Sequence, residues 1–278
     1  MDGIGWFTCE SLNIMTRRNP EHEFIFVFDR QPHPSFRFGN NVQLVTVPPQ
    51  ARHPFLYILW FELSLPYMIR KHKPDLLLSP DGFLPVLSRI PSLAVIHDLN
   101  FEHNPEDLPW LTRNYYRCFF PHFARKATRI ATVSGFSKDD ITQTYGIDPA
   151  KIDVVYNGAS NGFKPADPSV VLETRHFYTR GLPYFLFVGT LHPRKNLENL
   201  FLAFDHFRSC HPEPFCLLIV GNRKWWTPGI EETYRKMKFR NDVIFTGRLT
   251  PERLHLVTAS AFAVTYVSFF EGFGIPLL

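Results

Sequence analysis

Ten short apolar runs, separated by amphipathic stretches, constrain the fold of this 278-residue chain most strongly. Each run is rich in β-branched and aromatic residues, is too short for a buried helix, and is bounded by Pro, Gly, Asn or Asp. Strands that are apolar throughout suit a parallel sheet covered by helices on both faces. The pattern therefore predicts an α/β fold with strands at 23–28, 42–47, 75–80, 92–98, 129–134, 151–158, 184–189, 215–221, 242–247 and 261–268.

The strand–helix alternation is interrupted once, by a polar, proline-bearing stretch that carries no strand pattern. We therefore predict a first domain over 1–164, a linker over 165–183 and a second domain over 184–278. Within the linker, a helix could form from about Pro168 to Tyr178. The chain is 45% hydrophobic and 15% aromatic, which is enough to bury a core in each domain.

Charge and cysteine content narrow the class of protein. The net charge of +4 suits anionic small molecules or a membrane surface better than a long nucleic-acid footprint, so we expect no nucleic-acid partner. Cys9, Cys118, Cys210 and Cys216 show no C-x-x-C spacing, and we expect them to be buried free thiols in a reducing cytoplasm. No signal-peptide pattern follows Met1, and no apolar run approaches the ~18 residues of a membrane span, so a cytoplasmic location is predicted.

One basic and aromatic segment, RNYYRCFFPHFARKATR over 113–129, contains no acidic residue. It could rest against anionic lipid headgroups, as a peripheral contact at the inner face of the cell membrane. The favoured interpretation is that its aromatic residues pack inward with solvated cations outside, because Pro121 should interrupt a long helix lying on a membrane.

Arg194 and Lys195 form the strongest internal motif, within FLFVGTLHPRKNLENLFLAF. A buried strand ends at a turn of Gly189 and Thr190, and the two cations then precede an amphipathic helix. Cations at a helix start oppose the helix dipole, so another reason for them is needed, and a diphosphate supplies one. The alternative is a solvated pair of surface cations.

Glu271 follows the last apolar run and opens the sequence EGFGIPLL. A carboxylate at this position can bind sugar hydroxyls. The backbone of Gly272, Phe273 and Gly274 then leads into a helix start whose free N–H groups attract phosphate. The alternative for Glu271 is an ordinary carboxylate at a strand end.

His97 lies with Asp98 at the carboxyl end of a predicted strand, where open α/β sheets bind ligands. A hydrogen-bonded structural histidine is the alternative. In the same domain Glu102 and His103 could contact an acceptor or could be solvated loop residues. Ser137 is predicted to cap a helix over 138–145.

Near the start of the chain, Gly3 and Gly5 form a G-x-G, where small residues let the backbone approach phosphates. Alone this motif is weak, and a plain turn is the alternative.

Taken in order along nearly the whole chain, these motifs resemble those of the retaining glycosyltransferases of family 4. The resemblance implies a GT-B fold, in which two Rossmann-like domains face each other across a cleft, the first for the acceptor and the second for a nucleoside-diphosphate sugar. It implies a hexosyltransferase with GDP-mannose or a UDP-hexose as donor, a glycan or lipid-linked acceptor in surface polysaccharide synthesis, and neither a cofactor nor a metal.

The same resemblance implies roles for individual residues. His97 would orient the donor sugar, Arg194 and Lys195 would bind the leaving diphosphate, and Glu271 would be the first Glu of an E-x7-E signature. The backbone positions implied for donor binding are Gly3, Gly5, Gly189, Thr190, Gly272, Phe273 and Gly274.

The chain departs from the family pattern at both ends. The second Glu of the signature would follow Leu278, and a strand should precede the Gly3-Ile4-Gly5 loop. We therefore expect a truncated chain with an incomplete second domain. Two alternatives to an active transferase stay open: an inactive remnant that only binds a nucleotide, a glycan or a partner chain, and a phosphorylase-like GT-B protein.

Overall fold

The computed structural model describes residues 3–32, 38–160 and 162–278, and the chain divides into two compact units, Met1–Asn157 and Gly158–Leu278. Each unit is built on parallel strands, as the apolar runs predict: all ten described strands pair in parallel with a neighbour. The α/β class is confirmed.

The first unit contains a two-stranded and a four-stranded sheet. The small sheet pairs β1 (Phe24–Phe28) with β2 (Val42–Thr46), and the larger one has the order β3 (Leu77–Ser79), β4 (Ser92–Val95), β5 (Arg129–Thr132), β6 (Ile152–Val154). Its α-helices are α1 (Gly3–Arg18), α2 (Pro54–Leu59), α3 (Leu65–His72), α4 (Asn100–His103), α5 (Trp110–Lys126) and α6 (Gly135–Tyr145). A π-helix, Trp60–Ser64, joins α2 to α3, and 3-10 turns lie at Pro105–Asp107 and Pro149–Lys151.

Helix α5 turns its aromatic face into the core of the first unit. Phe120, Phe123 and Ala124 are buried, and Arg117 donates to Glu102 at 3.1 Å. The inward packing of this segment is therefore confirmed. Pro121 does not end the helix, contrary to the sequence-based expectation, because α5 continues through it to Lys126.

The π-helix Trp60–Ser64 is fixed by polar contacts on several sides. Trp60 Nε1 donates to the Val47 carbonyl at 2.9 Å, and Ser64 Oγ donates to the Pro48 carbonyl at 2.6 Å. Glu62 accepts the backbone N–H groups of Val86 and Leu87 at 2.6 and 3.1 Å. These bonds connect the wide helical turn to the loops that follow β2 and β3.

Two local expectations for the first unit are wrong. Gly3 and Gly5 lie in the first turn of α1 rather than in a loop, since the first N–H groups of a helix need no intrahelical partner and glycine is tolerated there. The cap of α6 is Ser134, whose Oγ accepts the N–H of Ser137 at 3.0 Å, so the helix begins at Gly135. Ser137 is itself buried, and its hydroxyl donates to the His97 carbonyl at 3.1 Å.

The second unit contains one four-stranded parallel sheet. Its order is β10 (Ala263–Val264), β7 (Tyr184–Val188), β8 (Cys216–Val220), β9 (Val243–Gly247). The α-helices are α7 (Pro168–Thr179), α8 (Leu197–Cys210), α9 (Pro228–Lys236) and α10 (Pro251–Ser260), with 3-10 turns at Pro193–Lys195, Arg240–Asp242 and Ile275–Leu277.

The stretch 165–183 is not an unstructured connection. It holds α7, close to the bounds expected for a helix there, and Arg175 on α7 donates to the Ser260 carbonyl at the end of α10 at 2.9 Å. This segment therefore packs as part of the second unit. The domain bounds 1–164 and 184–278 stay a prediction.

Strand β10 is much shorter than the predicted 261–268. Its last bond to β7 is from Thr265 N to the Leu186 carbonyl, at 2.7 Å. Beyond it, the Val267 carbonyl accepts from Asn196 and Phe269 N donates to the Arg194 carbonyl, so the chain leaves the sheet to pair with a loop.

None of the four cysteines forms a disulfide, and Cys216 is buried as expected. The expectation of a buried thiol is wrong for Cys118 and Cys210, which lie on exposed faces of α5 and α8, and Cys9 is half-buried. An amphipathic helix has an outer face, and both exposed thiols fall on it.

Candidate functional site

The strand order of the second unit locates a ligand site before any side chain is considered. The chain adds β8 and β9 on one side of β7 and then places β10 on the other side, so the order of strands reverses between β7 and β10. Open parallel sheets bind ligands outside the carboxyl ends of the strands at such a reversal. Here the two loops concerned are 189–196 after β7 and 265–274 after β10.

Lys195 and Glu271 meet at this point as an ion pair, with Lys195 Nζ hydrogen-bonded to Glu271 Oε1. Arg194 Nη1 lies 4.0 Å from the other carboxylate oxygen. The side chains of Lys195, Arg194 and Glu271 are 12%, 25% and 18% exposed, so all three are largely shielded yet reachable from solvent. The sequence predicted these three residues as ligands of one donor, and the structure brings them together.

The two cations extend from a 3-10 turn that is held by several hydrogen bonds. His192 precedes the 3-10 turn Pro193–Lys195, and its Nδ1 accepts the N–H of Arg194 at 3.3 Å. Asn196 adopts a left-handed conformation and donates to the Val267 carbonyl at 3.0 Å, while the Arg194 carbonyl accepts from Phe269 N at 2.8 Å. The loops that carry Lys195 and Glu271 are therefore joined through their backbones.

Tyr266 forms part of the wall behind the ion pair. Lys195 Nζ lies 5.6 Å from the centre of its ring, and the ring packs against Gly274, where a Cβ would lie 3.5 Å away. Burial raises the pKa of Tyr266 well above its usual value, and the negative charge of Glu271 raises it further. The buried hydroxyl faces Glu271 and Ser268, and its raised pKa keeps it protonated, so Tyr266 is a neutral residue of this wall.

Three glycines end the three neighbouring strands at the site. Gly189 N donates to the Val220 carbonyl at 2.9 Å, and Gly221 N donates to the Gly247 carbonyl at 3.0 Å. A Cβ on Gly221 would lie 1.8 Å from the Gly189 carbonyl oxygen, so no other residue fits there without moving the backbone. We did not single out Gly221 from the sequence, although the glycine that ends FCLLIVG was the available signal.

The remaining residues of the second unit that were predicted to bind the donor occupy the same two loops. Thr190 is exposed directly after Gly189, and Gly272 and Gly274 are buried on either side of Phe273. A 3-10 turn, Ile275–Leu277, follows Gly274.

His97 lies in the first unit, just after β4, and is held on three sides. Its Nε2 is 2.9 Å from the Pro80 carbonyl, its ring meets the Phe7 ring edge-on at 4.7 Å between centres, and its own carbonyl accepts from Ser137. Phe7 belongs to α1, so Gly3 and Gly5 begin the helix that contacts His97. These contacts orient the imidazole, and its role towards a donor sugar stays a prediction.

Asp81 lies near His97 and was not noticed in the sequence. Loss of hydration raises its pKa, opposed by a hydrogen bond from Ser79 and by the nearby His97. Asp81 is nonetheless exposed at the surface of the first unit, so its loss of hydration is partial.

Glu102 and His103 already have partners within the first unit. Glu102 accepts from the Tyr145 hydroxyl at 3.0 Å, and His103 Nε2 lies 2.7 Å from Asp140 Oδ1. These bonds join α4 to α6 and favour a structural role over contact with an acceptor.

Two further findings concern the described residues as a whole. No group of three or more His, Cys, Asp or Glu side chains among them could hold a metal ion. No helix that they form has the length and apolar character needed to span a membrane.

Family models match both units. The model described as "Glycosyltransferase Family 4" matches residues 2–160, more than half of the chain, and "Glycosyl transferases group 1" matches residues 176–278. The chain belongs to glycosyltransferase family 4. The resemblance to family 4 that the motifs indicated is therefore confirmed.

Curated relatives of the family 4 chain are named as mannosyltransferases. It is 24% identical over 222 residues to the O-antigen chain mannosyltransferase RfbU of Salmonella typhimurium, covering 80% of this chain and 57% of the relative. It is 26% identical over 214 residues to the O-antigen chain mannosyltransferase B of Escherichia coli, covering 76% and 56%. The chain spans about half the length of these relatives.

Solved structures resemble the family 4 chain in fold. WaaG, a glycosyltransferase involved in lipopolysaccharide biosynthesis, superimposes with a TM-score of 0.70 at 16% identity, covering 100% of this chain and 74% of WaaG. HepE of Anabaena, in complex with UDP and glucose, gives 0.64 at 17% identity, covering 91% and 76%. These likenesses confirm the GT-B type, with two Rossmann-like parallel sheets.

Proposed function

We propose that this family 4 chain is a retaining glycosyltransferase that moves a hexose from a nucleoside-diphosphate sugar to a glycan or lipid-linked acceptor. The observation that carries the proposal is the placement of Arg194 and Lys195 beside Glu271 where the strand order reverses. Two cations suit a diphosphate, and a carboxylate suits the hydroxyls of a sugar.

In the proposed reaction, Arg194 and Lys195 stabilise negative charge on the leaving diphosphate. This charge increases as the bond between the anomeric carbon and the phosphate oxygen stretches, so both cations bind the transition state more strongly than the ground state. Glu271 orients the sugar through its hydroxyls. The ion pair between Lys195 and Glu271 sets the positions of both groups in advance.

Retention follows if the acceptor hydroxyl attacks from the face that the diphosphate leaves. The new bond forms between the acceptor oxygen and the anomeric carbon, while the old bond to the phosphate oxygen breaks. The hydroxyl proton passes to the departing phosphate, so no additional base is needed. The proposed step uses neither a cofactor nor a metal.

Among donors, GDP-mannose is favoured because the curated relatives are named mannosyltransferases of O-antigen chains. A UDP-hexose is the alternative, supported by a neighbour of similar fold that holds UDP and glucose. Surface polysaccharide synthesis is the process we propose, with a glycan or lipid-linked acceptor. The cytoplasmic location and the peripheral membrane contact stay predictions.

The test measures turnover of GDP-mannose and of UDP-glucose, as release of the nucleoside diphosphate at saturating donor. Lys195→Ala should lower turnover by about 10²-fold or more, by analogy with the loss of one oxyanion donor. The matched control is Lys236→Ala. Lys236 belongs to the same unit, is 75% exposed and pairs only along its own helix with Glu232 among the described residues, so turnover should be unchanged.

Two results would contradict the proposal. An unchanged rate for Lys195→Ala would remove this residue from the mechanism. If neither donor is turned over, and calorimetric titration detects no binding of GDP, UDP or ADP, the inactive remnant becomes the better interpretation.

A further inference from the structure

The loop after β8 places an aromatic ring beside the proposed diphosphate site. It runs over residues 221–227, where Asn222, Arg223 and Lys224 are exposed and Trp225 is half-buried. Because β8 is the sheet neighbour of β7, and neighbouring strands lie about 4.8 Å apart, this loop leaves the same edge of the sheet as the loop that carries Arg194 and Lys195.

The adjacent residues Trp225 and Trp226 have different environments. Trp226 packs on Phe201, Tyr234 and Phe245 of the core, and its Nε1 donates to Glu231 at 2.7 Å. The ring contacts found for Trp225 are with loop residues instead. His192 meets it at 5.3 Å between ring centres, and Lys224 Nζ lies 5.5 Å from its centre.

The contact with His192 links Trp225 to the diphosphate loop. His192 lies two residues before Arg194 and accepts its N–H, so the two loops touch directly. Arg223 holds the base of the Trp225 loop, because its guanidinium stacks on Trp226 at 4.7 Å and on Phe245 at 4.0 Å. Trp225 is therefore held at the site without being part of the core.

The direction of a bound donor follows from the chemistry of its two ends. In a nucleoside-diphosphate sugar, the sugar and the nucleoside extend from opposite ends of the diphosphate. If Glu271, after β10, binds the sugar and the cations after β7 bind the diphosphate, the nucleoside must extend to the other side of β7. That side is β8, where Trp225 stands.

We propose that Trp225 is the stacking platform for the nucleobase of the donor, a role that rests on the proposed function of the neighbouring diphosphate site. Every base has a π-face, so such a platform strengthens binding without selecting among bases. Trp225 is thus a binding residue, and the choice between guanine and uracil lies with other contacts.

The experiment measures dissociation constants by calorimetry for GDP, UDP, GDP-mannose and inorganic pyrophosphate, with the 278-residue chain. Trp225→Ala should weaken both nucleotides by about 5- to 150-fold, the range for loss of one base–aromatic stack, and leave pyrophosphate unchanged. Trp225→Phe, which keeps a ring, should recover most of the affinity. The control is Trp110→Ala in the first unit, where the ring is 66% exposed and no change is expected.

Each other outcome has a definite meaning. Equal weakening of nucleotides and pyrophosphate would show that Trp225 only supports the neighbouring loop, and unchanged nucleotide affinity would exclude stacking. Either result overturns this inference while leaving the proposed function intact. A loss confined to GDP-mannose, with GDP unchanged, would place the sugar on Trp225 and also overturn it. If the unaltered chain binds none of the probes, the donor site itself is wrong and both proposals fail.

Discussion

Lys195 and Glu271 are 76 positions apart in the chain, yet each supplies the charge that the other needs. A carboxylate that is only 18% exposed loses much of its hydration, and a neighbouring ammonium compensates for that loss. Substitution of Lys195 would therefore also disturb Glu271. The expected loss of turnover in Lys195→Ala combines weaker binding of the leaving group with a less well oriented carboxylate.

Gly221 offers a sharper test at a single residue, because its constraint is steric. Gly221→Ala would place a methyl group 1.8 Å from the Gly189 carbonyl oxygen, and the β7 and β8 loops would have to separate. We expect the free energy of unfolding of the second unit to fall by about 3 kcal/mol or more. Urea unfolding monitored by circular dichroism measures this change.

The control for this substitution is Gly158→Ala in the same unit. No atom lies within 4 Å of a Cβ at Gly158, and its backbone is not left-handed, so alanine should be tolerated or slightly stabilising. Equal stability of the two variants would show that the approach of Gly189 to Gly221 is looser than described.

Among the elements, β1 is joined to the chain that follows β2 through one carboxylate. Asp29 accepts two hydrogen bonds from Arg30, at 2.9 and 2.7 Å, and one from Ala51 N at 2.8 Å. Burial alone would raise the pKa of Asp29, but these bonds outweigh it and hold the pKa below its usual value. The ionised form therefore stabilises the folded first unit.

Asp29→Asn should lower the free energy of unfolding of the first unit by about 1–2 kcal/mol at pH 7. The contribution of Asp29 is fully present above its unfolded pKa of about 3.9 and is lost as the pH falls through the lower folded value. The difference between the two proteins should therefore shrink towards pH 3, as measured by urea unfolding at a series of pH values.

Asp153→Asn is the matched control, because Asp153 also pairs with an arginine in the first unit but is 52% exposed. We expect no measurable change in its stability, since exposed ion pairs contribute little. A pH-independent difference between Asp29→Asn and the unaltered chain would refute the ionic role of Asp29.

Elements were more predictable from the sequence than their ends. Each of the ten apolar runs contains a strand, because a short run of β-branched and aromatic residues carries its own preference. The ends depend on distant partners. Ser137 has a side chain that can cap a helix, but its hydroxyl is buried and bonds the His97 carbonyl instead. Strand β10 ends where the chain after it pairs with the loop of Arg194 and Asn196.

For the whole molecule, the candidate site was predictable in composition but not in arrangement. The sequence pointed to Arg194, Lys195 and Glu271 because they lie in recognisable motifs that directly follow predicted strands. Gly221 and Trp225 escaped because their meaning depends on β8 lying beside β7, and strand order is a tertiary property that local pattern does not encode.

The cysteines allow the whole chain to be tested in one labelling experiment. Cys118 and Cys210 are exposed, whereas burial raises the pKa of Cys216 to about 11, aided by the charge of Asp242. At neutral pH, Cys216 should therefore have about 10²-fold less thiolate than an ordinary cysteine. A thiol reagent followed by peptide mapping should modify the exposed pair first, and Cys216 only when the sheet of the second unit opens.

A nucleoside diphosphate that binds the second unit should slow the modification of Cys216 further, because ligand binding lowers the population of open forms. Modification of Cys118, in the first unit, serves as the internal control and should keep its rate. Labelling of Cys216 at the same rate as Cys118 and Cys210 would contradict the burial of Cys216.

The π-helix between α2 and α3 makes the length of its segment more important than its composition. Trp60 and Leu65 are both buried although they are five positions apart, a spacing that an α-helix of 3.6 residues per turn would place on different faces. Leu63 within the same turn is 62% exposed and free to vary. Deleting Leu63 would leave Trp60 and Leu65 four positions apart, so the segment could close as an ordinary α-helix with Leu65 and Met68 still facing the core. Inserting one residue instead would rotate α3 by about 100° and turn both side chains away from the core without altering either of them.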